Sequence, residues 1–250
     1  EARVVAWFSC GAASAAASAL AIEKYGRERV SVVYCDTMAD EHPDNARFFD
    51  DVQEWLGVPI TRIASSDYGR IEDVFTHRRY MSGIAGAPCT VELKKKPRFD
   101  FQRADDVHVF GYTSEEWKRI ERFEGNNPEL YLDWILRDAG YSKADCLAMV
   151  AAAGIALPVM YALGYRNNNC LGCVKATSTK YWNAIRRDFP DVFAERVATS
   201  RRLGVKLTRL KGERIFIDEL PADEDDGVME DISCGPECAD EGVQLGLGLT

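Results

Sequence analysis

Residues 2–26 read "ARVVAWFSCGAASAAASALAIEKYG". An apolar run ends at Ser9-Cys10-Gly11 and passes directly into a stretch of strong helix formers that stops at Gly26. The first part predicts a buried strand and the second a helix. A strand that turns through Ser and Gly into a helix presents free backbone N–H groups at the positive helix end, which suits phosphate. Ser9 and Ser14 add hydroxyls, Gly11 allows close backbone approach, and Ala12, Ala13 and Ala16 keep the helix face slim. The same Gly and Ser content also arises from turn geometry alone, so the neighbouring segments must decide.

Those segments repeat the alternation. "RVSVVYCD" (29–36) predicts a second buried strand, and "PDNARFFDDVQEWLG" (43–57) a helix with Pro at its start and Gly at its end. "PITRIAS" (59–65) and "RIEDVFTHRR" (70–79) give a third strand and helix; "DDVHVFGYT" (105–113) and "SEEWKRIERF" (114–123) give a fourth pair. Such order predicts an α/β fold, a Rossmann-like parallel sheet with crossover helices. Beyond residue 127 the pattern changes. "PELYLDWILRDAG" (128–140), "SKADCLAMVAAAG" (142–154), "KYWNAIRRDF" (180–189) and "PDVFAERVATSRRLG" (190–204) read as helices. "VKLTRLKGERIFIDEL" (205–220) reads as a small β-hairpin turning at Lys211-Gly212. The expected organisation is therefore a nucleotide-binding core over 1–127, a helical cysteine-containing part over 128–220, and an acidic tail over 221–250.

The 250-residue chain carries a formal charge of −9. Eleven acidic residues and no Lys or Arg lie from Asp218 onward, so residues 1–217 hold 31 basic against 29 acidic residues. The body is near neutral and the tail strongly acidic, which weakens any simple case for nonspecific nucleic-acid binding. The longest apolar stretch, "LAMVAAAGIALPVMYALGY" (147–165), is broken by Gly and Pro and reads as buried helix, not membrane span. No secretory leader pattern opens the chain, and a cytoplasmic location is the expectation. Eight cysteines in a reducing compartment then favour metal binding or catalysis over disulfides.

"NNNCLGCVKA" (167–176) places Cys170 and Cys173 two residues apart around Gly172, the usual first half of a zinc or iron–sulfur site. Cys89, Cys234 and Cys238 are candidates for the rest. Lys94, Lys95 and Lys96 follow Cys89; positive charge there would favour thiolates, although a solvated lysine run is the commoner fate. Cys146 reads as core, His108 as a satisfied core histidine, and Trp117 and Trp182 as core or base-stacking residues. Asp36 and Thr37, at the carboxyl end of the second strand, are expected beside the first loop in a ligand crevice.

The segment "SCGAAS" (9–14) resembles the PP-loop, Ser-Gly-Gly-x-Asp-Ser, of the adenine nucleotide alpha-hydrolase-like (HUP) superfamily. "CDTMADEHPDN" (35–45), "CTVELKKKP" (89–97) and "FGYTSEEWKR" (110–119) resemble, in the same order, segments of the phosphoadenosine phosphosulfate (PAPS) reductase family, over about residues 3–185. Proteins with "GCVKA" (172–176) are similar to phage- or prophage-type members. The resemblance implies an adenine nucleotide, with Mg²⁺ where ATP is used, held by Ser9, Cys10, Gly11, Ser14, Asp36, Thr37, Gly111, Glu116 and Arg119. It implies a [4Fe-4S] cluster on Cys89, Cys170 and Cys173, with Cys234 or Cys238 from the tail or an open iron site; structural zinc is the alternative. The implied chemistry is adenylation or sulfur transfer to a nucleotide or nucleic acid, with a sulfur or electron donor protein and a homodimer as expected partners. The alternatives are a true PAPS or adenylyl-sulfate reductase and a nucleotide sensor with structural zinc. Departures bear on this: the PP-loop Gly that follows the first Ser is Cys10, its Asp is Ala13, the family's Arg in the fourth-strand segment is Thr113, and the reductase tail Glu-Cys-Gly-x-His is replaced by "SCGPEC" (233–238).

Overall fold

The computed structural model describes residues 1–83, 86–227, 229–232 and 234. Five parallel strands form one sheet in the order β3-β2-β1-β4-β5: β1 (Val4–Phe8), β2 (Val30–Cys35), β3 (Ile60–Ile63), β4 (Val107–Val109) and β5 (Tyr131–Asp133). Val4 pairs with Val30 on one side and with Val107 on the other, so β1 is central. All five of its residues are buried, as a strand covered on both faces requires. Alternation then assigns the faces. Val4, Ala6 and Phe8 join Val32, Tyr34 and Val109 under helices α1 (Ala12–Tyr25) and α2 (Asp44–Leu56). Val5, Trp7, Val33 and Cys35 face the opposite way.

The chain next forms α3 (Ile71–Arg78) and a helical run over 88–101. In that run, α4 (Pro88–Thr90) and α5 (Lys96–Phe101) flank a π-turn at Val91–Lys95. It returns through β4 on the other side of β1. That reversal leaves a crevice at the carboxyl ends of β1 and β4, the switch point where open parallel sheets take ligands. After β4 comes α6 (Trp117–Asn126), whose Ile120 and Phe123 cover the Trp7 face with Phe110 and Trp134.

The helix expected over 128–140 is corrected. Tyr131–Asp133 adds to the sheet edge beside Val107–Val109, and only α7 (Ile135–Asp138) is helical. Three residues are too few to show a period of two. What selects the strand is the open edge of β4 and an anchor: Asp133 accepts hydrogen bonds from Lys24 Nζ at 2.7 Å and Tyr25 O–H at 2.6 Å, at the end of α1. Helix α8 (Lys143–Ala152), capped by Ser142 and Asp145, packs Cys146 and Val150 on the α1 side of the sheet. The sheet layer thus runs past the expected limit at 127.

Residues 159–232 build a second core on α3 and Leu93. It contains α9 (Val159–Ala162), α10 (Thr179–Asp188) and α11 (Pro190–Leu203), with Trp182 fully buried. The hairpin β6 (Thr208–Leu210) and β7 (Glu213–Ile215) turns at Lys211 and Gly212, both at positive φ, as a tight two-residue turn demands. Among the described residues no helix is long and apolar enough to cross a membrane.

His108 is buried between sheet and α6, where its Nδ1 accepts a 3.0 Å bond from the Trp7 indole and its Nε2 has no partner among the described residues. Burial holds its pKa down at about 4. The unfolded chain therefore takes up a proton between about pH 6.5 and 4 that the folded chain refuses, and stability falls as pH falls through that window. Urea titrations at pH 7 and pH 4.5 should show roughly 2 kcal/mol more loss for wild type than for His108→Gln. Parallel losses would place the titration elsewhere.

Candidate nucleotide and cysteine sites

The loop between β1 and α1 is held by its own serines. Ser14 Oγ accepts from Ser9 N–H at 3.0 Å and Ser9 Oγ at 3.2 Å, and donates to the Gly11 carbonyl at 2.9 Å. Cys10 stands at φ 54°, a left-handed conformation that glycine takes without strain. Its side chain is buried in the core instead of facing the crevice. No side chain caps the start of α1. The Ala12 N–H donates to the Tyr161 hydroxyl at 3.3 Å, so a phenol oxygen from α9 sits on the helix end.

A cavity of about 710 Å³ opens from this loop. Ser9, Gly11 and Ser14 line it from β1 and α1, and Gly111, Glu116 and Arg119 from the segment after β4. Glu116 accepts from the Thr113 N–H at 2.9 Å and forms an ion pair with Arg119, whose guanidinium lies 4.5 Å from the Tyr112 ring centre. Gly111 is required by contact: a Cβ there would fall 2.7 Å from Ser14 N and 2.8 Å from Ser14 Cα.

Asp36 and Thr37 are not among the residues that line this cavity. The cavity lies on the β4 side of β1, where the strand order reverses. Thr37 is buried and donates to Glu41 at 2.6 Å, while Asp36 accepts from the Met38 N–H and pairs with Arg62 at 3.4 Å. Cys10, turned into the core, is likewise off the cavity wall.

The sulfur atoms gather on the far side of the loop. Cys89 opens α4, after Pro88. Cys170 and Cys173 sit in a buried loop clamped from several directions. Leu171 N–H donates to Asp40 O at 2.8 Å, Cys173 N–H donates to the Tyr181 hydroxyl at 2.7 Å, and the buried Arg196 Nε reaches Gly172 O at 3.2 Å. Gly172, at φ 62°, leaves no room for a Cβ beside Val192 at 2.9 Å. Cys234 completes the group: its Sγ lies 3.8 Å from Thr90 Oγ1 and is hydrogen-bonded with Cys173, and it also stands in the cavity wall. Cys238 lies outside the described residues.

Burial raises the Cys89 thiol to about 12 and pushes Cys170 well up. Hydrogen bonding by Cys173 pulls Cys234 well down, and the same bond raises Cys173. Lys94 is the one lysine of its run buried at this site; its Nζ donates to Cys234 O at 2.7 Å. The surrounding sulfurs and Glu41 keep its pKa above the usual value although burial acts to lower it. Lys96 instead pairs with Glu92 at 2.5 Å. Among the described residues no group of three or more His, Cys, Asp and Glu side chains has closed to a geometry that holds a single metal ion. One tetrahedral zinc would need sulfurs roughly 3.8 Å apart from each other, given Zn–S bonds near 2.3 Å.

Hydrogen bonds that no motif marks tie the two sites together. Asn168 Nδ2 donates to Cys10 O at 2.7 Å and Asn45 Oδ1 at 2.8 Å. Asn167 and Asn169 bind the tail, through Ile232 O at 3.0 Å and 2.6 Å. The run of three asparagines before Cys170 was the available signal. Trp182 is core, while Trp117 is 52% exposed. Compared with known proteins, the chain matches no family model and no curated protein.

Proposed function

We propose that this chain is a PAPS reductase-like PP-loop enzyme that binds an adenine nucleotide beside an iron–sulfur cluster and acts in adenylation or sulfur transfer on a nucleotide or nucleic acid. One observation supports it above all: Cys89, Cys170, Cys173 and Cys234 come together from three distant segments, and Cys234 also walls the cavity that begins at the loop over 9–14.

The donor set suits the cluster. Four cysteine sulfurs are the usual ligands of an iron–sulfur centre, and the buried Lys94 offsets the charge of thiolates. When bound, the cluster would supply one-electron chemistry or an iron that takes sulfur. The chain's own residues do the rest. The amides at the start of α1 take phosphate, and Tyr161 O–H must yield or share the Ala12 N–H. The Glu116–Arg119 pair fixes the wall after β4. Ala12 and Ala13 bring no charge to the loop, so the loop itself meets phosphate with backbone amides and serine hydroxyls only.

Anaerobic purification is the test. Brown protein carrying iron and acid-labile sulfide is expected, with the colour lost in Cys170→Ser. Colourless protein with stoichiometric zinc overturns the cluster, and failure to bind any adenine nucleotide overturns the rest.

A further inference from the structure

Three cationic side chains line the cavity: Arg119, Lys143 and Arg166. Two are engaged. Arg119 is paired with Glu116, and Lys143 Nζ bonds Asn167 Oδ1 at 2.6 Å and lies 3.5 Å from Asp231. Arg166 is exposed and holds no hydrogen bond or ion pair among the described residues.

Its base is nevertheless fixed. Tyr165, the preceding residue, is buried with its hydroxyl 3.0 Å from Asp188. Asn168, two residues on, is bonded to Cys10 O in the loop. Two residues span at most about 7 Å of chain, so a guanidinium on its three-carbon stem reaches the mouth of the loop. The loop itself, 9–14, has no Lys or Arg. Asn168 lines the same wall with its side chain only 5% exposed, and its buried Oδ1 accepts no hydrogen bond among the described residues.

We propose that Arg166 is the anion anchor of this cavity and contacts the phosphate of a bound adenine nucleotide, an inference that rests on the nucleotide reading above. A guanidinium–phosphate contact is charge-assisted and directional, and lysine reproduces the charge without the fork.

Calorimetric titration of the anaerobically purified full chain with AMP and with adenosine tests it, using wild type, Arg166→Ala and Arg166→Lys. Arg166→Ala should bind AMP about 10- to 100-fold more weakly while binding adenosine as wild type does, with Arg166→Lys in between. Unchanged AMP binding in Arg166→Ala overturns the anchor and leaves the nucleotide reading intact. Equal loss of AMP and adenosine overturns it too, since the residue would then shape the cavity rather than meet the phosphate. Wild type that binds neither compound removes both readings.

Discussion

Replacing Lys94 by Met is expected to destabilise the protein by about 3 kcal/mol, within the range seen when one member of a buried charge set is removed. Glu41 is fully buried and accepts 2.6 Å bonds from Thr37 Oγ1 and Asn45 Nδ2. Burial raises its pKa, and Lys94 is the largest influence holding it down. Met matches the lysine stem in bulk but removes the charge, so Glu41 must take up a proton to stay buried. The sign of the pH response follows. In Lys94→Met the folded chain binds a proton at Glu41 that the unfolded chain has lost, so stability rises as pH falls from 7 toward the ordinary carboxylate range. Urea denaturation of Lys94→Met, Glu41→Gln and the double variant checks this. The double variant should recover a good part of the loss, because it leaves no lone carboxylate. A Lys94→Met loss below about 1 kcal/mol, or a double variant as unstable as the sum of the singles, would show that the two groups do not depend on each other.

The alternation of apolar runs with helix formers made the first four strands, α1, α2, α3, α6 and the two C-terminal helices legible, because each lies in a segment set off by polar or turn residues; β4, with three residues, was read from its place before the helix-forming stretch over 114–123. β5 was not. A strand of three residues takes its identity from the free edge of β4 and from Asp133 meeting Lys24 and Tyr25, partners more than a hundred residues away. The same division holds at the site. Ser9, Gly11, Ser14 and Gly111 follow from strand-to-helix turns and fall on the cavity wall. Asp36 and Thr37 were placed by adjacency to β1, which does not say on which side the strand order reverses; the cavity opens on the β4 side. The gathering of Cys89 with Cys170 and Cys173 was expected from the family resemblance, but the means was invisible. Arg196, Tyr181 and Asp40 hold the loop over 170–173, and no local pattern ties a helix residue at 196 to carbonyls at 171 and 172.

Gly111→Ala should damage both fold and cavity. The glycine's φ lies outside the left-handed region, so the argument is one of space, not backbone freedom. The segment leaving β4 passes so close to the first turn of α1 that an added Cβ would meet Ser14 N at 2.7 Å, Ser14 Cα at 2.8 Å and the Ala13 carbonyl carbon at 3.1 Å. These are backbone atoms of a helix packed on the central strand, and no rotamer change can move them away. Either α1 or the chain after Val109 must shift by several tenths of an ångström. Overpacking of this kind costs about 3 kcal/mol, equivalent to a fall in Tm of about 6–12 °C for a chain this long. The shift would also part Ser14 from Ser9 and Gly11, whose bonds shape the loop. On the proposed nucleotide reading, affinity for an adenine nucleotide should therefore fall together with Tm. Gly125→Ala is the matched control, since nothing lies within 4 Å of the Cβ it would add, and the position is helical. It should match or slightly exceed wild type in Tm, as Ala favours helix by up to about 1 kcal/mol. If Gly111→Ala melts with Gly125→Ala and binds nucleotide as wild type does, the two backbones are not in contact and the cavity is not built on their junction.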